Sequence, residues 1–282
     1  MSFLRGNDLF SAVDLPLEAY DSVKEEDLRI PACKPGEEGL FFHLAWAGTF
    51  GDRRNDPDLQ ERNVQATINA LRLAVRLGCT AFVGAGSQAE YGPVFVPLRS
   101  DTPKHPQTEY GKAKKRAGEA VTKLGRELGI RTSWCRFLSV YGPWDTRGTM
   151  VDYAIRTLLE KKEARFSHGE QIWDYLFSED AAMALYLTAL RAPGGRAYPV
   201  GSGDGRPLKE YIRMIRDAAD PEGVILLGSI PGPQEPYPVL CADLSELQED
   251  TGFSPTYSFE EGIRKTVLWY QKSLESKRNA PE

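Results

Sequence analysis

The chain has 282 residues, is 41% hydrophobic and 27% charged, and carries a formal net charge of −5 at pH 7. That length supplies one large domain or two smaller ones, with the composition of an ordinary globular protein. Its only basic cluster is Lys112-Ala-Lys-Lys-Arg116 and no apolar run approaches the ~20 residues that cross a bilayer, so neither nucleic acid nor a membrane is an expected partner.

Residues 1–8 lack the apolar stretch of a signal peptide. The four cysteines, Cys33, Cys79, Cys135 and Cys241, are scattered without a C-x-x-C pair. Neither zinc nor a disulfide framework is expected, and a reducing cytoplasm is the natural location.

The first 39 residues say least. Phe10 to Leu15 has the pattern of a short strand, Leu17 to Leu28 has helical spacing, and Pro31 to Gly39 reads as a loop. Leu40 to Trp46 is a continuous apolar run, which predicts a strand buried on both faces. His43 within it reads as a buried strand residue, not a ligand. Asp56 is placed to cap a helix with Pro57 at its first position. That helix carries Val64, Ile68, Leu71 and Val75 on one stripe and stops at Gly78. Thr80 to Gly84 is the next strand, followed by a loop rich in proline. Thr108 opens a long helix to Gly129, with Ala113, Ala117, Val121, Leu124 and Leu128 as its buried stripe. Arg131 to Phe137 is a third strand.

Strand–helix–strand–helix–strand predicts an α/β fold with a parallel, Rossmann-like sheet. Such sheets bind ligands beyond the carboxyl ends of their strands, where Ser87 and the loop after Phe137 lie. The second half is more mixed. Helices are predicted at 150–162, 179–191, 207–219, 245–251 and 258–276. Short strands are predicted at 164–168, 174–178, 197–200, 224–227 and 239–242. The expected division is a cofactor domain over residues 1–143, to which 174–200 returns, and a smaller mixed α/β substrate-binding region over 144–282.

Ser87 ends a strand, and Tyr110 and Lys114 stand four residues apart on one helical face. A hydroxyl, a phenol and an ammonium brought together form a proton-transfer site. A free phenol titrates near ~10, so a neighbouring cation is needed for it to act as a base at neutral pH.

Taken with their flanking segments, these residues resemble the NAD-dependent epimerase/dehydratase family, the extended short-chain dehydrogenase/reductases of nucleotide sugars. The ordered set is Phe42-His-Leu-Ala45, Asn63-Val64 with Thr67, Gly86-Ser-Gln-Ala-Glu-Tyr-Gly92, Tyr110-Gly-Lys-Ala-Lys114, Arg136 to Pro143, Gln171 to Tyr175, and Phe253-Ser-Pro255 with Phe259 to Gly262 and Trp269-Tyr270. The resemblance implies Tyr110 as general acid/base, Lys114 as the group that lowers its pKa and holds the nicotinamide ribose, and Ser87 as the group that polarises the substrate oxygen. It implies NAD or NADP as cofactor, touched by Leu44, Ala45, Trp46, Asn63, Tyr110, Lys114 and Phe137. It implies a nucleotide-sugar substrate near Gln88, Ser139 and Trp173, and a homodimer through helices near 58–77 and 108–128.

The sequence departs from the family's pattern in places. No G-x-x-G-x-x-G turn precedes Leu40, which predicts weak or absent NAD(P) binding; the explanations are truncation, a rearrangement in which residues 1–39 fill part of the gap, or a nucleotide-sugar-like pocket without dinucleotide binding. Members that dehydrate at the 4,6-positions carry Asp-Glu after the hydroxyl residue, where this chain has Gln88 and Ala89. Trp173 stands where many members have an arginine, and Ser139 where many have an asparagine. The expected chemistry is therefore a 4-epimerase or a 4-ketoreductase, with a non-catalytic or fragmentary family member as the alternative.

Overall fold

A computed structural model of the chain describes residues 33, 36–146, 148–232 and 239–278. The strand and helix predicted before residue 29 lie outside the described residues. The chain forms two compact units. The first comprises the described residues up to Gly92, with Lys104–Cys135 and Thr188–Ala197; the second comprises Pro93–Pro103, Arg136–Leu187 and the described residues from Tyr198 onward.

The elements begin with β1 (Leu40–His43), α1 (Pro57–Arg76), β2 (Ala81–Ser87), α2 (Glu109–Leu128) and β3 (Arg131–Phe137). Then come β4 (Ser139–Tyr141), α3 (Met150–Leu159), β5 (Ala164–Arg165), β6 (Ile172–Trp173), β7 (Tyr175–Phe177) and α4 (Ser178–Arg191). They end with β8 (Arg196–Val200), β9 (Arg206–Pro207), α5 (Leu208–Ala219), β10 (Ile225–Leu226), α6 (Ser245–Thr251) and α7 (Phe259–Arg278). The main sheet has the order β1-β2-β3-β8, and β1 pairs in parallel with β2, Leu40 opposite Ala81. The fold is α/β and Rossmann-like, as the strand–helix alternation predicts.

In the first unit the local signals act as expected. The Asp56 carboxylate accepts the backbone N–H of Leu59, and Pro57 occupies the first turn of α1. The Thr108 hydroxyl accepts the N–H of Gly111 to open α2, and Gly129 closes it in the left-handed conformation at φ 72°. Val64, Leu71 and Ala74 of α1 share a core with Ala113, Ala117 and Val121 of α2 and with Phe82 and Trp134. The apolar stripes of α1 and α2 thus pack against one another within the chain.

Two expectations need correction. β1 ends at His43, three residues before Trp46, and is half-buried rather than enclosed on both faces, with Leu44 exposed. It lies at the edge of the sheet among the described residues, so one flank has no strand to bury it. Leu128 is also exposed.

The second unit has its own core, built from Val151, Ile155 and Leu158 of α3, Tyr211, Ile212 and Ile215 of α5, and Phe259, Ile263, Val267 and Tyr270 of α7. β4 pairs in parallel with β7, β5 with β10, and β6 antiparallel with β9. The expected strand at 239–242 is reduced to isolated bridges, Leu98 with Ala242 and Ile172 with Val239. β4, β6 and β9 were not expected from the sequence.

Candidate active site

Ser87 is the last residue of β2, and Tyr110 and Lys114 lie on the first turns of α2. Gly111 lets them meet. A Cβ there would stand 2.3 Å from the Ala89 carbonyl oxygen, so only glycine allows α2 to start this close to the turn after Ser87. The result makes the Ser87 side chain a neighbour of the Tyr110 phenol.

Trp134 on β3 fixes Ser87 from beneath. Its indole is fully buried and fills the space left by three glycines, Gly84, Gly86 and Gly118. A Cβ on Gly84 would lie 2.2 Å from the ring. Trp134 Nε1 donates to Glu90 Oε1 at 2.8 Å, and the Ser87 N–H donates to the same carboxylate oxygen at 3.0 Å. The Ser87 hydroxyl in turn accepts the Ala89 N–H at 3.2 Å, closing a reciprocal cap on the short turn Gln88–Glu90. Glu90 and Trp134 were missed by sequence reasoning. The only available signal was the serine–glutamate spacing of a capping box.

Lys114 is 4% exposed. Its ammonium donates to the Ala85 carbonyl at 2.6 Å and lies 3.7 Å from the Trp46 ring centre and 5.8 Å from that of Tyr110. Burial lowers its pKa to about 7, against a smaller opposing pull from Glu90. Tyr110 is raised by burial, with Ser87 and the Arg54 charge pulling it back. The guanidinium carbon of Arg54 lies 4.3 Å from the Tyr110 ring centre. His43 is buried, hydrogen-bonded to Thr67 at 3.1 Å, and lowered to about 3 by burial and by Lys114.

The loop after β1 is clamped by α1. Trp46 Nε1 donates to Gln60 Oε1 at 2.9 Å, and Gln60 Nε2 donates to the carbonyls of Gly48 and Arg53. Asn63 takes the Ala47 N–H and returns a bond to the Ala47 carbonyl, each at 2.9 Å. Asn63 therefore shapes the loop, and its polar atoms are committed to that backbone. Leu44 and Ala45 are exposed at the end of β1. A nicotinamide ribose suits this donor set. Lys114 has three N–H donors and one bonded acceptor, its other close neighbours being aromatic faces, so a sugar hydroxyl would complete its bonding. Trp46 must yield for that hydroxyl to arrive.

In the second unit, Trp173 Nε1 donates to Ser139 Oγ at 2.9 Å, so those two predicted substrate residues meet. Phe137 is half-buried at the end of β3, and Gln88 is half-buried beside Ser87. Asp174, unnoticed in the sequence, is fully buried and accepts the N–H groups of Ser202, Gly203 and Ala242, tying three segments together. The cysteines are free thiols, but Cys33 and Cys79, distant in sequence, are neighbours in space, their sulfurs both flanking Gly39. Burial and the proximity of Cys33 push the Cys79 thiol up to about 12. Among the described residues no acidic, histidine or cysteine cluster suited to a metal occurs, and no helix is long and apolar enough to cross a membrane.

The sheet is thus Rossmann-like, with Ser87 at the end of β2 and the Tyr110–Lys114 pair on the helix that follows. The NAD dependent epimerase/dehydratase family profile matches residues 32–201, and the chain belongs to that family. Among curated relatives it is similar to the dTDP-glucose 4,6-dehydratase of Salmonella typhimurium, 27% identical over 188 residues, which is 63% of this chain and 51% of the relative. The chain thus spans about half the length of that relative. Among solved structures it is similar to RMD from Pseudomonas aeruginosa complexed with NADPH, with TM-score 0.77 and 21% identity over 92% of this chain and 88% of that one. It is also similar to the UDP-glucose 4-epimerase of Thermotoga maritima with UDP-glucose, with TM-score 0.73 and 23% identity over 83% and 78% of the two chains. At such identities the structural likeness speaks to the fold.

Proposed function

We propose that the chain acts on the 4-position of a nucleotide sugar, as a 4-epimerase or a 4-ketoreductase, with Ser87, Tyr110 and Lys114 as its acid/base site. The observation that carries this reading is the meeting of the Ser87 side chain with the Tyr110 phenol, with the Lys114 ammonium 5.8 Å from the phenol ring. Membership of an NAD-dependent family supports it, as do relatives named for dTDP- and UDP-sugars.

Lys114 and Tyr110 are the groups that would hold a nicotinamide ribose, with Leu44, Ala45 and Trp46 along the ring. NAD(P), when bound, supplies the capacity to take or give a hydride at the sugar carbon. Ser87 donates a hydrogen bond to the sugar oxygen. Tyr110 Oη takes the proton from that oxygen when a carbonyl forms and returns it when the hydroxyl is restored. Gln88 and Ala89 offer no carboxylate for a 4,6-elimination, and the Glu90 carboxylate is committed to Ser87 and Trp134. This favours the 4-position redox chemistry over the dehydration in the names of the curated relatives.

In the same reading, the first unit is the cofactor domain and the second is mainly the substrate-binding region. The protein works in the cytoplasm as a homodimer, which sedimentation of the purified chain tests. The enzymatic test is incubation with UDP- and dTDP-hexoses or their 4-keto forms, with NAD or NADPH, followed by NMR of the sugar. An epimer formed without net cofactor consumption marks an epimerase. Stoichiometric NADPH oxidation marks a reductase. A second reading, ligand binding without turnover, draws on the burial of Lys114 beneath Trp46; it predicts sugar-nucleotide binding by calorimetry with no product from any of these mixtures.

A further inference from the structure

We propose that Arg54, on the loop after β1, is the cation that steadies the Tyr110 phenolate, and is thus a positioning residue for the proton transfer. The inference rests on the reading of Tyr110 as acid/base. The guanidinium carbon of Arg54 lies 4.3 Å from the centre of the Tyr110 ring. Arg54 is held there. Its Nη1 donates to the Thr49 carbonyl at 2.7 Å, and the neighbouring Arg53 carbonyl is bonded by Gln60 at 3.1 Å. Asn55 Oδ1 accepts the N–H of Glu109, which fastens the same turn to the start of α2, one residue before Tyr110.

Lys114 is turned elsewhere. Its ammonium is on the Ala85 carbonyl and the Trp46 face, 5.8 Å from the Tyr110 ring. The charged groups facing Tyr110 are Arg54 from the 52–55 turn, Glu90 from the 88–90 turn and Lys114 from its own helix, with the Ser87 hydroxyl from β2. Arg54 favours the phenolate and Glu90 opposes it. A guanidinium remains charged at every working pH, whereas a buried lysine with a pKa near 7 is half neutral there. Arg54 therefore supplies a constant charge where Lys114 does not.

The test is titration of Tyr110 in the protein without cofactor or sugar. Difluorotyrosine is placed at position 110, where its fluorines bring the phenol into an accessible pH range, and the midpoint is read by 19F NMR. The expected result is that Arg54→Met raises the midpoint by about one pH unit or more, Arg54→Lys recovers part of it, and Lys114→Met moves it less than Arg54→Met does. An unchanged midpoint in Arg54→Met, or a larger movement in Lys114→Met, overturns the proposal. Arg54→Gln repeats the measurement should the methionine variant misfold. Because no turnover is needed, an inactive protein still decides this question, and a failed activity screen leaves it standing.

Discussion

Replacing Lys114 with methionine gives the sharpest test of the site's energetics. Methionine keeps most of the side chain's volume and removes the charge. Burial takes the ammonium from an ordinary pKa of 10.5 to about 7. At ~1.4 kcal/mol per pH unit, this difference of about 3.5 units makes the folded chain disfavour the charged lysine by about 5 kcal/mol. Losing the hydrogen bond to Ala85 returns roughly 1 kcal/mol of that, and the lost contact with the Trp46 face a similar amount. The expected net gain at pH 7 is about 1–3 kcal/mol, in keeping with other buried ions replaced by apolar groups. The sign with pH follows from proton binding. Between pH 7 and 10.5 the unfolded chain holds the Lys114 proton and the folded chain releases it, so wild-type stability rises with pH. The rise is read as the difference between wild type and Lys114→Met from pH 7 to 8.5, because the cysteines, which begin to ionise there in the unfolded chain, contribute equally to both. Urea unfolding at pH 6, 7, 7.75 and 8.5 reads both effects. Lys114→Met should be the more stable at pH 6 and 7, should lose the rise above pH 7, and should have none of the proposed activity. A variant less stable than wild type at pH 7, with the slope intact, would refute the reasoning.

His43 adds a second, acid-side dependence. Its folded pKa of about 3 lies below its ordinary 6.5, so the unfolded chain binds its proton first and stability falls as pH drops from about 6.5 toward 3. His43→Leu should move the acid-unfolding midpoint to lower pH in circular dichroism. Gly86→Ala places a Cβ 2.4 Å from Trp134 Nε1 and 2.7 Å from Glu90 Oε1; a loss of about 3 kcal/mol or more is expected in urea, with altered tryptophan fluorescence. Glu90→Leu removes the oxygen that accepts both the Ser87 N–H and the Trp134 indole, and should cost about 1–3 kcal/mol and lower the proposed turnover.

Much of this protein was settled locally. Asp56-Pro57 starts α1, Thr108 and Gly129 bound α2, and β3 has its predicted limits, because caps, turns and periodicity act over a few residues. The helical repeat alone put Tyr110 and Lys114 on one face, and the ordered motifs identified the family. The tertiary structure decided what surrounds that pair. Arg54 over Tyr110, Trp46 over Lys114, Trp134 among three glycines with Glu90 at its nitrogen, and the meeting of Cys33 with Cys79 all join residues far apart in the chain. No spacing rule reports such contacts, since they depend on how elements pack and not on where they begin. The pKa of Lys114 is of this kind. The sequence supplies an ammonium four residues after a phenol, but only the packing of Trp46 and Trp134 around it removes water and makes the charge costly.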